Sequence, residues 1–128
     1  MKSVSESDIE EHQGGSFSYT VQRLPDGITI ICATGDLDGE TRSLMYQLVS
    51  DEIAREPAQL VLELSGAKSA DSAALEGLVY ASALAGESDT SFCLVASHTG
   101  PIVRGLAAAD LIERFEIFPT VDEAKLHR

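Results

Sequence analysis

The order of apolar and polar residues along the chain predicts a β-hairpin near its start. Residues 16–24 (SFSYTVQRL) alternate as in a half-buried strand, and the turn residues PDG at 25–27 separate them from the apolar run ITIICAT at 28–34. Because this second run is apolar without alternation, we expect both of its faces to be covered, as in a strand inside a largely parallel sheet.

Helical spacing follows the hairpin. Residues 39–55 predict a helix that ends before Pro57. Its apolar side is formed by Leu44, Leu48, Val49 and Ile53. Its charged side, which we expect in solvent, is formed by Glu40, Arg42, Asp51, Glu52 and Arg55.

The rest of the chain continues the alternation of strands and helices. Further strands are predicted at 60–64, 91–96 and 116–118, further helices at 72–85, 101–109 and from the segment TVDE onward, and a loop at SGAKS. In TVDE, Thr120 and Glu123 have the spacing of a capping box. Strands alternating with helices predict an α/β fold, with a mostly parallel sheet, an antiparallel N-terminal edge strand and about four helices.

Composition bounds the domain count and the kinds of partner. With 128 residues, of which 44% are hydrophobic, the chain has room for one domain with a real core. Residues 1–14 are polar, acidic and glycine-ended, which predicts a flexible tail and leaves 15–128 as the domain. A net charge of −12 repels phosphate backbones and anionic lipids, so we expect no nucleic acid and no membrane, and a protein partner with a basic patch.

Cysteine, histidine and apolar runs narrow the chemistry further. The longest apolar runs fall short of a membrane span, and the start lacks the apolar core of a signal peptide, so we expect a cytoplasmic protein. Cys32 and Cys93 fall in predicted strands and are expected as free, buried thiols. The three histidines are scattered without metal-ligand spacing, so neither a metal nor a cofactor is expected.

An acid and a hydroxyl, Asp71 and Ser72, interrupt the otherwise small and apolar stretch SADSAALEGL at 69–78. The pair suits a helix cap, a catalytic serine or a phosphorylation site. The serine lies in no G-x-S-x-G elbow and no Ser-His-acid order is evident around His98, which argues against an enzyme. Asp71 is a favoured N-cap residue, and a cap is compatible with an exposed, modifiable serine beside it.

Three predicted loops follow the parallel strands: GDLD, SGAKSADS and SHTGP. Functional residues of open α/β sheets collect outside the carboxyl ends of the strands, so we expect these loops on one rim. Their order, with a glycine and acidic pair, then VLELSG, then ADS at a helix start, resembles a STAS domain of the bacterial anti-sigma factor antagonist (anti-anti-sigma) family over residues 16–126.

That resemblance implies a regulatory switch at Ser72. In the family the hydroxyl that follows the aspartate is phosphorylated by the anti-sigma factor, itself a serine kinase, and Ser72 is the matching residue. The unmodified protein would capture the anti-sigma factor and free a sigma factor for transcription, and a phosphatase would reverse the modification. The family usually continues with a second Ser or Thr and then Gly, where this chain has Ala73 and Ala74.

The resemblance also implies a partner-binding surface around the switch. Its expected members are Asp36, Asp38, Ser69, Asp71, Ser72, Ala73, Glu76 and Thr99. Asp38 matches a family acid near the switch serine, and Glu63 matches a position that is usually Asp. A carboxylate at the end of a buried strand needs hydrogen-bond partners, so we expect Glu63 to tie loops together at the rim.

Two other readings of the chain differ in function. A receiver domain also has acids after an early strand, but it needs a lysine at the end of a late strand, where this chain has ASHTG and IFPT. A STAS scaffold subunit of a transporter complex, without phosphorylation, stays open and is favoured by Ala73 and Ala74.

Overall fold

Strands and helices alternate through the residues that the computed structural model describes, 8–14 and 17–125, with side chains described from residue 17 onward. Seven strands there form one sheet: β1 (Asp8–Gly14), β2 (Phe17–Arg23), β3 (Ile28–Leu37), β4 (Gln59–Glu63), β5 (Ala67–Ala70), β6 (Ser91–Val95) and β7 (Ile117–Phe118). The helices are α1 (Gly39–Ile53), α2 (Ser72–Glu87), α3 (Pro101–Ala108) and α4 (Val121–Lys125), with a 3-10 turn at Ile112–Arg114. The predicted α/β class is confirmed.

The sheet is mixed in direction. Its strand order is β1-β2-β3-β4-β6-β7, and β5 pairs with the far end of β3. β1, β2 and β3 are antiparallel neighbours, whereas β3, β4, β6 and β7 run parallel. An antiparallel N-terminal strand on a mostly parallel sheet was predicted and is confirmed. The edge itself is formed by β1, which pairs along the outer side of β2.

The second half of the segment predicted as a flexible tail, residues 1–14, forms a strand in the structure. Asp8–Gly14 pair with β2 residue by residue, from Asp8 opposite Arg23 to Gly14 opposite Phe17. The segment DIEEHQG is poor in apolar residues, but a ladder is made of backbone hydrogen bonds that polar residues form equally well. Residues 1–7 lie outside the described residues.

Three helices cover one face of the sheet and bury the main core. Side chains of β3 and β4 such as Ile31, Leu60 and Leu62 pack there against Val49 of α1 and Leu78 of α2. Each large apolar side chain buried in this way contributes about 1.5–3 kcal/mol to folding. A smaller cluster lies on the opposite face, where α4 packs on β4, β6 and β7, and consists of Ile28, Val61, Cys93, Val95 and Ala124.

β3 is covered on both faces only where it begins. Ile28 and Thr29 are both buried, but beyond them buried Ile31 alternates with half-buried Ile30 and Cys32. The expectation that the whole strand is covered on both faces is therefore wrong. The physical reason is that α4 has only five residues and does not reach across β2 and β3.

β3 is also longer than predicted and gains a partner from a segment predicted as a loop. Gly35, Asp36 and Leu37 continue the strand and pair with β5, which lies largely within SGAKS. The register shifts between Gly35 and Asp36, and Gly35 has φ of +100°, a conformation that favours glycine. The end of β3 and the strand β5 form through backbone pairing, which the hydrophobic periodicity of a sequence does not reveal.

The predicted sides of α1 are confirmed with one exception. Leu48, Val49 and Ile53 are buried, and Leu44 is half-buried. Glu52, expected in solvent, is only 3% exposed. Its carboxylate accepts hydrogen bonds from Nε and Nη2 of Arg23 on β2, at 2.9 and 2.7 Å. The charge of Glu52 can be buried because it is paired with that of Arg23.

Candidate functional site

The ends of β3 and β5 bring acids and serines together at one edge of the sheet. Asp36 and Ser69 are paired residues of these strands, and Ser69 Oγ donates a hydrogen bond to Asp36 Oδ1 at 2.9 Å. The backbone N–H of Asp71 donates to the carbonyl of Leu37 at 3.1 Å. The start of α2 is therefore attached to the end of β3, beside the Asp36–Ser69 pair.

Asp38 starts α1 at the same edge. Its carboxylate accepts hydrogen bonds from the backbone N–H groups of Glu40 and Thr41, at 3.0 and 3.1 Å. The Thr41 hydroxyl in turn accepts from the Asp38 N–H at 2.7 Å, which completes a reciprocal capping box. The half-buried Asp38 carboxylate thus has a structural role, besides the negative charge that it adds to this edge.

Asp71 caps α2, as predicted. Its Oδ1 accepts from the backbone N–H of Ala74 at 2.9 Å. Ser72 follows as the first helical residue, its side chain is exposed, and no side chain among residues 17–125 forms a hydrogen bond with its hydroxyl. A helix start presents free N–H groups and a positive dipole end, so it accommodates negative charge well.

The two alanines after Ser72 fit this helix start. Ala73 is half-buried against α1, since a Cβ built at Gly39 would lie 3.8 Å from the Ala73 Cβ. Ala74 is buried and has an ordinary negative φ, so its position does not need a glycine. The departure from the family pattern therefore leaves the geometry of the cap intact.

Glu76 lies one turn beyond Ser72 on the exposed side of α2. Its carboxylate forms an ion pair with Arg42 of α1, with Oε1 3.2 Å from Nη1. The two helices pack closely here, because a Cβ at Gly77 would lie 3.0 Å from Arg42 Cγ. Such an exposed pair adds little to stability, so its main effect is on the charge of the surface.

Thr99 and Glu63 form their hydrogen bonds with residues outside this group. Thr99 is exposed in the loop between β6 and α3, where its N–H and hydroxyl form hydrogen bonds with Ser97 Oγ at 3.2 Å. Glu63 lies at the end of β4 on the sheet face opposite α1 and α2, and accepts hydrogen bonds from Cys32 Sγ at 3.4 Å and from the Ser65 hydroxyl. Glu63 was expected to tie loops together, but it connects the strands β3 and β4 to the turn after β4, and it does not join the acids around Ser72.

Acidic groups dominate the edge around Ser72. The acidic residues at the helix starts and strand ends are Asp36, Asp38, Glu40, Asp71 and Glu76, against the basic residues Arg42 and Lys68. Among the residues whose side chains are described, no cluster of His, Cys, Asp and Glu could hold a metal ion. None of the described helices has the length and apolarity required to span a bilayer. The exposed acidic side chains at this edge are suited to contact with basic groups of another protein.

Sequence patterns missed two exposed aromatic residues on the same helices. Tyr46 of α1 and Tyr80 of α2 are 44% and 56% exposed. Both line a surface cleft of about 450 Å³, together with Arg42, Ser43 and Gln47. The available signal was the spacing of Ser72, Glu76 and Tyr80, which puts all three on one side of a helix.

Comparison with solved structures gives relatives over most of the chain. An anti-sigma factor antagonist from Mycobacterium paratuberculosis is 26% identical, with a TM-score of 0.76 over 87% of this chain and 92% of that chain. The protein TM1081 of Thermotoga maritima is also 26% identical, with a TM-score of 0.72 over 99% of this chain and 97% of that one. SLC26A9 is 22% identical, with a TM-score of 0.59 over 78% of this chain and 19% of that chain, a likeness of fold alone.

A search of the curated proteins finds no match to the sequence. The scan against family models does find one, and it agrees with the structural likeness. The model of the STAS domain family matches residues 19–124, which include every strand from β3 to β7, helices α1 to α3, all of α4 but its last residue, and the edge that carries Ser72. With most of its length matched by that model and with this fold, the chain belongs to the STAS domain family.

Proposed function

We propose that this protein is an anti-sigma factor antagonist that binds an anti-sigma factor kinase in the cytoplasm and releases it when Ser72 is phosphorylated. The observation that carries the proposal is the position of Ser72, exposed at the first residue of α2, directly after the Asp71 cap. The likeness to an anti-sigma factor antagonist supports the choice of partner. The role is one of binding, and the phosphate donor is bound by the kinase.

The proposed switch works through charge at the surface. A phosphate group adds about −1.5 to −2 charge at neutral pH. The Ala74 N–H is already bonded to Asp71, and a helix start tolerates further negative charge, so phosphorylation leaves α2 folded. The added charge lies instead near Asp36, Asp38 and Asp71, where it opposes docking of a surface that fits the unmodified edge.

Partner switching then follows from competition for the anti-sigma factor. While Ser72 is unmodified, the protein occupies the anti-sigma factor and a sigma factor is free to direct transcription. Phosphorylation by the anti-sigma factor ends this capture, and a phosphatase restores it. The acidic edge predicts that basic residues of the partner contact it, so binding should weaken as salt is raised.

The test is a titration against a purified anti-sigma factor kinase from the same host, with wild type and three variants. Ser72→Ala removes a small exposed hydroxyl and should change the dissociation constant only a few-fold. Ser72→Asp adds a charge beside the acids and should raise the dissociation constant about tenfold or more. Ser88→Asp adds the same charge at the other end of α2, where Ser88 is exposed, and should bind like wild type.

Phosphate transfer is measured in the same proteins by intact mass after incubation with ATP. Wild type should gain one phosphate and Ser72→Ala none. Phosphate on the Ser72→Ala variant would place the switch elsewhere, at Ser69 or Thr99. If wild type takes no phosphate and all variants bind equally, the switch proposal fails, and the role of a non-phosphorylated scaffold subunit in a transporter complex replaces it.

A further inference from the structure

Tyr46 and Tyr80 are the large apolar side chains exposed in residues 17–125, and both line one cleft between α1 and α2. The other large apolar side chains of that region are buried or half-buried. Exposed aromatic side chains that meet at one place are unusual in a monomer and mark interaction sites. Tyrosine is also enriched among residues that dominate binding energy.

The cleft is continuous with the edge that carries Ser72. Ser72, Glu76 and Tyr80 follow one another at intervals of four residues, so they lie on successive turns of the same side of α2. Arg42 and Tyr46 have the same relation on α1, and the Arg42–Glu76 ion pair joins the two rows. At a rise of 1.5 Å per residue, Tyr80 lies about 12 Å from Ser72 along the helix, which is within one interface of ordinary size.

The charges around the cleft select the kind of occupant. The exposed acidic residues of these two helices are Glu40, Asp51, Glu76 and Glu87. Arg42 is the one basic residue of α1 and α2, and it is already paired with Glu76. A second copy of this chain would bring acids against acids, at a net charge of −12 for each copy. The complementary partner carries an apolar side chain flanked by lysine or arginine.

We propose that the cleft between Tyr46 and Tyr80 is the apolar anchor of the interface with the anti-sigma factor. It receives an apolar or aromatic side chain of that protein, whose neighbouring basic residues face Glu40 and Glu76. This inference rests on the proposed function and divides the interface in two. At the Ser72 end, the phosphate weakens binding by its charge. At the tyrosine end, the two rings supply contact area that phosphorylation leaves unchanged.

Separation of the two ends has a measurable consequence. Sites more than 7–10 Å apart that share no partner act additively on a binding free energy. The fold-changes of a Ser72 variant and a Tyr80 variant should therefore multiply when both are combined. If the tyrosines belonged to the switch itself, the second change would add little once the first was present.

The experiment measures binding to the same purified anti-sigma factor kinase. Tyr46→Ala and Tyr80→Ala should each raise the dissociation constant about tenfold, mainly through faster dissociation. Tyr46→Phe and Tyr80→Phe keep the rings and should bind within about threefold of wild type. Glu123→Ala, at an exposed position of α4 on the opposite face of the sheet, is the matched control and should bind like wild type. Alanine is the best helix former, so the alanine variants should stay folded, which circular dichroism verifies.

The outcomes separate this inference from the proposed function. If Ser72→Asp weakens binding but the alanine variants do not, the function stands and the anchor is wrong. If wild type does not bind the kinase, both are overturned. If sedimentation of the protein alone shows a dimer that Tyr80→Ala dissociates, the cleft is an interface between copies of this chain, and the anchor is again wrong.

Discussion

Glu52 of α1 and Arg23 of β2 form a two-pronged ion pair inside the protein, with contacts of 2.9 and 2.7 Å and a Glu52 side chain that is 4% exposed. Arg55, two residues beyond the end of α1, approaches the same carboxylate at 3.8 Å from an exposed position. The pair fastens the helix to the antiparallel strand. The buried carboxylate of Glu52 is tolerated because the Arg23 guanidinium forms hydrogen bonds with both of its oxygens.

Removing one member of this pair should destabilise the protein strongly. We expect Arg23→Met to lower the free energy of unfolding by about 3 kcal/mol, since Glu52 is then buried without its main partner. The double variant Arg23→Met, Glu52→Leu should come within about 1 kcal/mol of wild type, because no buried charge remains. Urea denaturation measures both, and Arg55→Met is the control, expected to lose less than about 1 kcal/mol. A loss of under 1 kcal/mol for Arg23→Met would contradict the structural role of the pair.

Substitutions at the start of α2 should separate capping from switching. Asp71→Ala removes the hydrogen bond to the Ala74 N–H and should lower the free energy of unfolding by about 1 kcal/mol. Ser72→Asp places negative charge in the first turn and should leave the thermal midpoint unchanged or slightly raised. Ser88→Asp, at the C-terminal end of the helix, should lower it slightly by the same argument. A fall of many degrees for Ser72→Asp would show that added charge unfolds the helix start and that the switch is not confined to the surface.

Both cysteines should behave as free, weakly reactive thiols. Burial, and then the nearby Glu63, raise the pKa of Cys32 to about 11, and burial followed by the nearby Glu116 raises the pKa of Cys93 to about 11. The unfolded chain ionises its thiols near pH 8.5, while the folded protein keeps them protonated, so the free energy of unfolding should fall as pH rises from about 8.5 to 11. Alkylation by iodoacetamide at pH 8 should be much slower in the native protein than in urea. Equal rates would show that the thiols are not protected.

A disulfide between these cysteines is excluded by the sheet. Cys32 lies in β3 and Cys93 in β6, with β4 between them. Neighbouring strands are about 4.8 Å apart, so the two Cα atoms are separated by at least about 9.6 Å, beyond the reach of a disulfide. Thiol titration in denaturant without reductant should find both groups, and a count of zero would contradict this strand order.

Deletion of residues 1–14 should lower the thermal midpoint by several degrees. The deletion removes β1 and leaves the backbone groups along the outer side of β2 without their ladder. A variant that begins at Asp8 is the control, because it retains the β1–β2 ladder and should be the more stable of the two. An unchanged midpoint for the longer deletion would mean that β1 contributes nothing to folding, as the hypothesis of a flexible tail requires.

The sequence by itself determined the α/β class, the order of its main strands and helices, the Asp71 cap and the place of Ser72 at a helix start. These features depend on hydrophobic period and on capping residues, which act over a few neighbouring positions. The pairing of β5 with β3 depends instead on backbone hydrogen bonds between segments about 30 residues apart in sequence. Glu52 of α1 is buried because Arg23 of β2 pairs with it. The cleft of Tyr46 and Tyr80 exists because α1 and α2 pack side by side. Only the tertiary structure decided these, since a residue's own neighbours in sequence do not say which distant segment will lie against it.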